Sequence, residues 1–72
     1  MTPTRFAQLG ELLFGPAWVG ALAEALEVAE RTARRWKSGH SPIPEGVSAD
    51  IAALCRRRAT VLVRAAEALE TT

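Results

Sequence analysis

Apolar residues recur along the chain at intervals of three and four positions, the spacing that places them on one face of an α-helix. The first such stretch covers about residues 5–14, and its apolar face consists of Phe6, Leu9 and Leu13. Thr4 is placed to cap this helix with its hydroxyl group. Gly15 and Pro16 end it, and Pro16 suits the first turn of a second helix, where a missing N–H costs nothing.

A second and a third helix are predicted on either side of a short break. The second helix carries one apolar stripe, formed by Val19, Leu22, Ala23 and Leu26. Glu27-Val28-Ala29 forms the break, and the third helix runs from about Glu30 to Ser38 and stops at Gly39. Two helices joined by a turn of about three residues are the layout of a helix-turn-helix.

A long helix is predicted for the last third of the chain. The segment from His40 to Gly46 contains two prolines and must be a loop. From Val47 or Ser48 to about Leu69 nothing interrupts a helix, and Ser48 is a good cap. Such a helix is roughly 33 Å long, so the three short helices cannot cover all of it.

The composition agrees with an all-α fold. Alanine is the commonest residue, tyrosine is absent, and no run alternates long enough for a strand. The 72 residues make one domain, with three helices over 1–46 and the long helix over 47–72. A chain of this size buries only about 60% of its unfolded surface. One cysteine and one histidine exclude an internal disulfide and a four-ligand zinc site, and no cofactor is expected.

Positive charge is concentrated on the predicted third helix, although the net charge of the chain is only +1. From Arg31 to His40 there are four Lys or Arg residues and no acid. One helix face carries Arg31, Arg34, Arg35 and Ser38, and the opposite, packing face carries Ala29, Thr32, Ala33 and Trp36. A local basic face on a small domain indicates binding to a phosphate backbone.

Several small details of residues 22–39 follow one known pattern. Helix two contains the small residue Ala23, and the turn contains the apolar residue Val28, which is expected to pack into the core. In helix three, Ala33 and Trp36 are expected to be buried, and Ser38 and Gly39 end the helix. With these features the stretch resembles the helix-turn-helix of the Cro/phage-repressor-like family. Two positions depart from that family, because Glu27 stands at its usual turn glycine and Ala29 at its usual Ser or Thr cap.

The resemblance implies sequence-specific binding to double-stranded DNA, with helix three in the major groove. It implies that Glu30, Arg31 and Arg35 contact the edges of bases. It also implies that Thr32 and Arg34 contact either a base or a phosphate. It places near the sugar-phosphate backbone Lys37, Ser38, His40 and Ser41. The free N–H groups at the start of helix two, near Ala17 to Val19, are also expected to hold a phosphate. We expect Trp18 to be half in the core, with its indole within reach of a phosphate.

The apolar stripe of the long helix is longer than the core it can cover. It comprises Val47, Ile51, Leu54, Cys55, Leu62, Ala65, Ala66 and Leu69, widened by Val61 and Ala68. The uncovered part of such a stripe usually marks an interface. We therefore expect a two-fold homodimer through Val61, Leu62, Ala65, Ala66, Ala68 and Leu69. Arg56-Arg57-Arg58 is interpreted as solvated surface, with Arg58 beside the stripe.

These observations predict a dimeric transcriptional regulator that represses by occupying an inverted-repeat operator, including the operator of its own promoter. Small proteins of this kind include phage Cro-like repressors, antitoxins and anti-CRISPR-associated autorepressors, which act in the cytoplasm on nucleoid DNA. The alternative is a protein-interaction module that keeps the helix-turn-helix shape. An enzyme is not expected, since the sequence offers no nucleophile–base pair, metal-ligand cluster or glycine-rich phosphate loop. Neither a small-molecule ligand nor a membrane is expected as a partner.

Overall fold

Four α-helices make up the protein in a computed structural model that describes residues 1–71. They are α1 Pro3–Phe14, α2 Trp18–Ala25, α3 Glu30–Ser38 and α4 Gly46–Glu70. No strand occurs between residues 1 and 71, so the all-α prediction is confirmed. The first three helices pack on one another around a single core, and α4 closes that core with its first turns.

The first residues of α1, α2 and α4 differ from the sequence prediction. Helix α1 begins at Pro3 and is capped by Thr2, whose Oγ1 accepts from the Arg5 N–H at 3.1 Å, so the predicted cap at Thr4 is wrong. The reason is that proline is favoured at the first helical position. Helix α2 begins at Trp18, because Pro16 lies in a turn before it and not in its first turn.

Helix α4 also begins earlier than predicted. Its first residue is Gly46, its N-cap is Glu45, and Ser48 lies inside the first turn, so the predicted cap at Ser48 is wrong. The Pro44 carbonyl accepts from the Val47 N–H at 3.1 Å, and the Glu45 carbonyl accepts from the Ser48 N–H at 3.3 Å. Carbonyl groups of the loop therefore start the helical hydrogen bonds before Ser48 is reached.

Three aromatic rings, one from each short helix, form the centre of the core. Phe6 is fully buried, and its ring meets those of Trp18 and Trp36 edge-on at centroid distances of 5.4 and 5.8 Å. Trp18 is only 2% exposed, so the expectation that it is half at the surface is wrong. The indole can lie that deep because it packs directly on Gly10 of α1, where a β-carbon would lie 2.2 Å from the ring.

Only the first third of α4 is covered by the other helices. Val47 and Ile51 are buried, Leu54 and Cys55 are half-buried, and every residue from 56 to 71 is exposed. The chain therefore measures 49 × 22 × 20 Å. Its radius of gyration is 13.9 Å, whereas a compact chain of this length has about 11 Å. This confirms that the apolar stripe continues beyond the core.

Arg58 fixes α4 to the end of α1. Its Nη2 donates to the Leu13 carbonyl at 2.7 Å, and its guanidinium lies 5.8 Å from the centroid of the Phe14 ring. The last carbonyl groups of a helix have no partner within the helix and carry partial negative charge, so a cation there is favourable. The direction in which the exposed part of α4 leaves the core is thus set partly by this contact.

Replacing Gly10 with alanine should destabilise the fold. Gly10→Ala should lower the free energy of unfolding by about 1–3 kcal/mol, because the new methyl group would overlap the indole of Trp18. Urea denaturation monitored by tryptophan fluorescence measures this. Gly46→Ala is the matched control, since no atom from another part of the chain lies within 4 Å of its added β-carbon. A Gly10→Ala protein as stable as the parent would contradict the close packing of α1 on α2.

Candidate nucleic-acid interface

The turn between α2 and α3 is held by two backbone hydrogen bonds. The Val28 N–H donates to the Ala23 carbonyl at 3.0 Å, and the Glu27 N–H donates to the Glu24 carbonyl at 3.1 Å. Together they form a Schellman motif, which commonly has glycine at its left-handed position. That position is Glu27 here, with a φ of 59°. Val28 is half-buried against the core, which confirms its predicted role as the plug of the turn.

Helix α3 starts without a side-chain cap. Its N-cap is Ala29, with φ −65° and ψ 145°. Ala29 is exposed, so its predicted place on the packing face is wrong, because an N-cap lies outside the helical repeat. Glu30 compensates in part, since a carboxylate in the first turn interacts favourably with the positive end of the helix dipole.

Glu30 also forms an ion pair with Arg34 one turn further along α3. The two side chains are 48% and 63% exposed, so the pair contributes only about 0.5 kcal/mol or less. The Glu30 carboxylate lies against α2 at Gly20, where an added β-carbon would be 2.6 Å from its Oε1. The absence of a side chain at Gly20 thus leaves room for the Glu30 carboxylate beside α2, where it accepts from Arg34.

The rest of α3 divides into a buried face and a cationic face. Ala33 and Trp36 are buried in the core and Thr32 is half-buried at the boundary, as predicted for the packing face. The opposite face is exposed and carries Arg31, Arg34, Arg35 and Ser38. In the described chain, only Arg34 of these three arginines forms an ion pair. Two unpaired guanidinium groups thus lie on the exposed face of α3.

Lys37 lies between this face and the start of α2. Its Nζ is 5.6 Å from the centroid of the Trp18 ring, a cation–π distance. Trp18 is the first residue of α2, and the N-cap Ala17 makes no side-chain hydrogen bond. The contact therefore brings an ammonium group towards the uncapped N-terminus of α2, where Val19 is half-buried. The sequence did not predict this contact, because its partners lie on different helices.

The loop after α3 folds back on the end of the helix. Gly39 is left-handed, with a φ of 79°, as expected for the residue that ends this helix. Ser38 Oγ donates to the Arg35 carbonyl at 3.2 Å, and the Ser41 N–H donates to the same carbonyl, also at 3.2 Å. His40 is exposed and Ser41 half-buried. The loop thus keeps these polar groups close to the last turn of α3.

The part of the chain that the structure describes has neither a metal-ligand cluster nor a membrane-spanning helix. Among residues 1–71 there is no group of three or more His, Cys, Asp or Glu side chains that could hold a metal ion. Over the same part of the chain, no helix combines the length and the apolar character needed to cross a bilayer.

Replacing Glu27 with glycine should stabilise the protein. Glu27→Gly should raise the free energy of unfolding by about 1 kcal/mol, because glycine adopts a positive φ without steric cost. Thermal and urea denaturation measure the change. Glu24→Gly is the matched control, as it removes the same side chain from the interior of α2 and should cost about 1 kcal/mol. Two losses of equal size would show that the turn does not hold Glu27 in the left-handed region.

Comparison of the chain with protein-family models, with curated proteins and with solved structures gave no match. What supports a function is therefore the geometry of this chain. Two surfaces of this chain bear on it: the arginine face of the α2–turn–α3 unit, and the apolar stripe of the long helix, which continues into solvent.

Proposed function

We propose that the protein is a sequence-specific double-stranded DNA-binding protein that acts as a homodimeric transcriptional repressor. The single observation that carries the proposal is the division of α3 into two faces. Ala33 and Trp36 anchor one face in the core, so the face with Arg31, Arg34 and Arg35 points away from the protein. A closed turn joins this helix to α2, and this connection supports the proposal of a helix-turn-helix.

The dimensions and chemistry of α3 suit the major groove of DNA. The groove admits one α-helix, and an arginine there binds O6 and N7 of guanine with two parallel hydrogen bonds. Arg31 and Arg35 are the best candidates for base readers because both are exposed and lie one turn apart. Thr32 and Arg34 lie beside them and would contact a base or a phosphate. Glu30 either orients Arg34 or accepts a hydrogen bond from the N4 amino group of a cytosine.

Phosphate contacts would flank the groove on both sides of α3. Lys37 and the N-terminus of α2 near Val19 offer one site, where backbone N–H groups and an ammonium group lie on the same side of the protein. Ser38, His40 and Ser41 offer a second site at the end of α3. The buried side chain of Trp18 supports Lys37 in this scheme and is not itself a phosphate ligand.

Dimerisation would make the reader symmetric. The exposed part of α4 carries the stripe of Val61, Leu62, Ala65, Ala66, Ala68 and Leu69, in which Val61 is 63% and Leu62 60% exposed. Pairing of two such stripes sets two copies of α3 against one operator. Half-sites of an inverted repeat lie about 34 Å apart, one turn of DNA. Occupancy of such a site at a promoter, including the protein's own promoter, excludes polymerase.

The second candidate function is a protein-interaction module, which the same stripe favours. An exposed apolar helix face suits the groove of a different protein as well as a second copy. In that case the stripe of α4 would carry the activity and the arginines of α3 would not. The two functions are therefore separated by experiments that change one surface at a time.

A randomised duplex library should be enriched for one sequence. Selection at about 150 mM salt, where non-specific phosphate binding is weak, followed by sequencing, should yield an inverted repeat. Asymmetric enrichment would favour a monomeric reader over a dimer. A folded protein that enriches nothing would contradict DNA recognition and leave the protein-interaction module as the better proposal.

Single arginine variants should identify the base readers. Arg31→Ala or Arg35→Ala should weaken binding to the selected site by about 1–3 kcal/mol and relax the preference at one base pair. Arg64→Ala, on the exposed surface of α4 and outside the run of three arginines, is the matched control for the loss of one charge and should change affinity little. Fluorescence anisotropy on the selected site and on its single-base variants measures both. An equal loss with Arg64→Ala would point to general charge attraction.

Lys37→Ala should act differently from the arginine variants. Loss of one phosphate contact should weaken binding to all sequences alike and lower the slope of log affinity against log salt by about 1. A salt titration on the selected site and on a scrambled duplex measures this. A loss confined to the selected site would place Lys37 among the base readers.

A further inference from the structure

A groove lies between the end of α1 and the middle of α4. It has a volume of about 400 Å³ and is lined by Leu12, Leu13, Cys55, Arg58, Ala59 and Leu62. Leu12 is 77% exposed and Leu62 is 60% exposed, so two large apolar side chains at its edge face solvent. The one charged lining residue, Arg58, has its guanidinium bound to the Leu13 carbonyl. The groove thus offers an apolar surface that includes Cys55 and Leu62 of the α4 stripe and extends it onto α1.

Three residues of the α4 stripe recur at intervals of seven positions. Cys55, Leu62 and Leu69 share one line on the helix, and small residues flank it at Ala59, Ala65 and Ala66. A seven-residue apolar repeat is the pattern with which two helices pack side by side. Cys55 lies seven positions before Leu62 and Leu69 seven positions after it. An antiparallel pair of helices centred on Leu62 therefore sets residue 69 of one chain opposite residue 55 of the other.

We propose that the groove is the docking site for α4 of a second copy of this chain, running antiparallel, with the partner's Leu69 seated between Leu12, Cys55 and Leu62. This deepens the proposed function, since it rests on the homodimer inferred there. It adds α1 to the interface through Leu12, and it fixes the direction and register of the two long helices. Because such a pair has two-fold symmetry, each copy inserts its Leu69 into the groove of the other copy.

The charges of α4 favour the antiparallel direction. Its exposed part begins with three consecutive arginines, Arg56 to Arg58, and ends with Glu67 and Glu70. An antiparallel pair brings the acidic end of each helix to the basic start of the other. A parallel pair would set three arginines against three arginines, and like charges at such distances are destabilising. In the antiparallel arrangement the positive end of each helix dipole also lies beside the negative end of the other, which is favourable.

The uncovered surface is of the size that a dimer buries. The accessible surface of the chain is 5161 Å² for a mass of 7.7 kDa. A compact monomer of this mass exposes about 4,300 Å². The excess of roughly 800 Å² equals what each partner contributes to a standard protein interface. The alanines of α4 let two helices approach closely enough for the groove to be filled.

Disulfide trapping tests the direction and register. Leu69→Cys should give a covalent dimer under mild oxidation, and peptide mapping should find Cys55 linked to the new cysteine at 69, because opposed residues of a tight helix pair lie within disulfide reach. The unchanged protein, with Cys55 alone, should not cross-link. Glu70→Cys is the matched control, at the same end of α4 but off the seam. A Cys55–Cys55 link, or no link in Leu69→Cys, would overturn the proposal.

The groove itself is tested through Leu12. Because Leu12 is largely exposed, Leu12→Glu should leave the monomer folded by circular dichroism. It should raise the dimer dissociation constant about ten-fold or more in sedimentation, since a carboxylate would enter an apolar groove. Gln8→Glu, one turn earlier on the exposed face of α1, should have little effect. Equal dissociation constants for Leu12→Glu and the parent would overturn the role of the groove.

Both experiments are made without DNA, which separates this inference from the proposed function. A dimer with the 55–69 link that binds no DNA sequence would contradict the repressor and leave the antiparallel interface standing. A monomer in sedimentation at concentrations of tens of micromolar would overturn the interface, whether or not the chain binds DNA. In that outcome the groove would be open to a different protein.

Discussion

The edge-on packing of Phe6 between Trp18 and Trp36 is the constraint on which the remaining structure depends. Each of the three short helices contributes one of these rings, so the rings fix the helices relative to one another. Edge-on aromatic pairs contribute about 0.5–1.5 kcal/mol beyond the area that they bury. Because Trp36 is held in the core, the opposite face of α3 has to point outward. The exposure of the arginines is therefore a consequence of aromatic packing.

The turn before α3 shows how the core imposes backbone geometry. Glu27 adopts a left-handed conformation that costs a residue with a side chain about 1–2 kcal/mol. The conformation persists because Val28 packs on the core directly after it and two hydrogen bonds close the turn. A similar compromise is made at Ala29, where α3 lacks a capping side chain and Glu30 partly replaces it. The chain thus keeps the angle between α2 and α3 at a cost in local stability.

The proposed interface would cover the exposed part of α4, beyond the turns that pack on the core. Arg58 fastens α4 to the end of α1, and the groove beside it includes Leu12 of α1. A partner helix in that groove would cover exposed leucines on both elements and hold α4 in one direction. A small chain gains stability from such a contact, since association lowers the free energy of the folded state. The position of one α3 relative to the other would then follow from how two α4 helices pack.

The local pattern of the sequence determined the four helices, the break at residues 27–29 and the faces of α3, because a helical repeat depends only on spacing along the chain. The same spacing predicted Ala23, Ala33 and Trp36 as packing residues, and the resemblance of residues 22–39 to a helix-turn-helix added Val28; each of the four is at least half-buried. The helix starts were less predictable. Several residues near a start are able to cap it, and the choice was made by Pro3 in α1 and by carbonyl groups of the preceding loop in α4.

Only the tertiary structure decided which side chains from distant parts of the chain meet. Trp18 is buried because Gly10, on another helix, leaves space for its ring. Lys37 reaches that indole, and Arg58 reaches the Leu13 carbonyl across 45 positions of sequence. The groove at Leu12 exists for the same reason. Such contacts depend on the angles at which helices pack, and those angles are set by the shapes of core side chains acting together rather than by any local pattern.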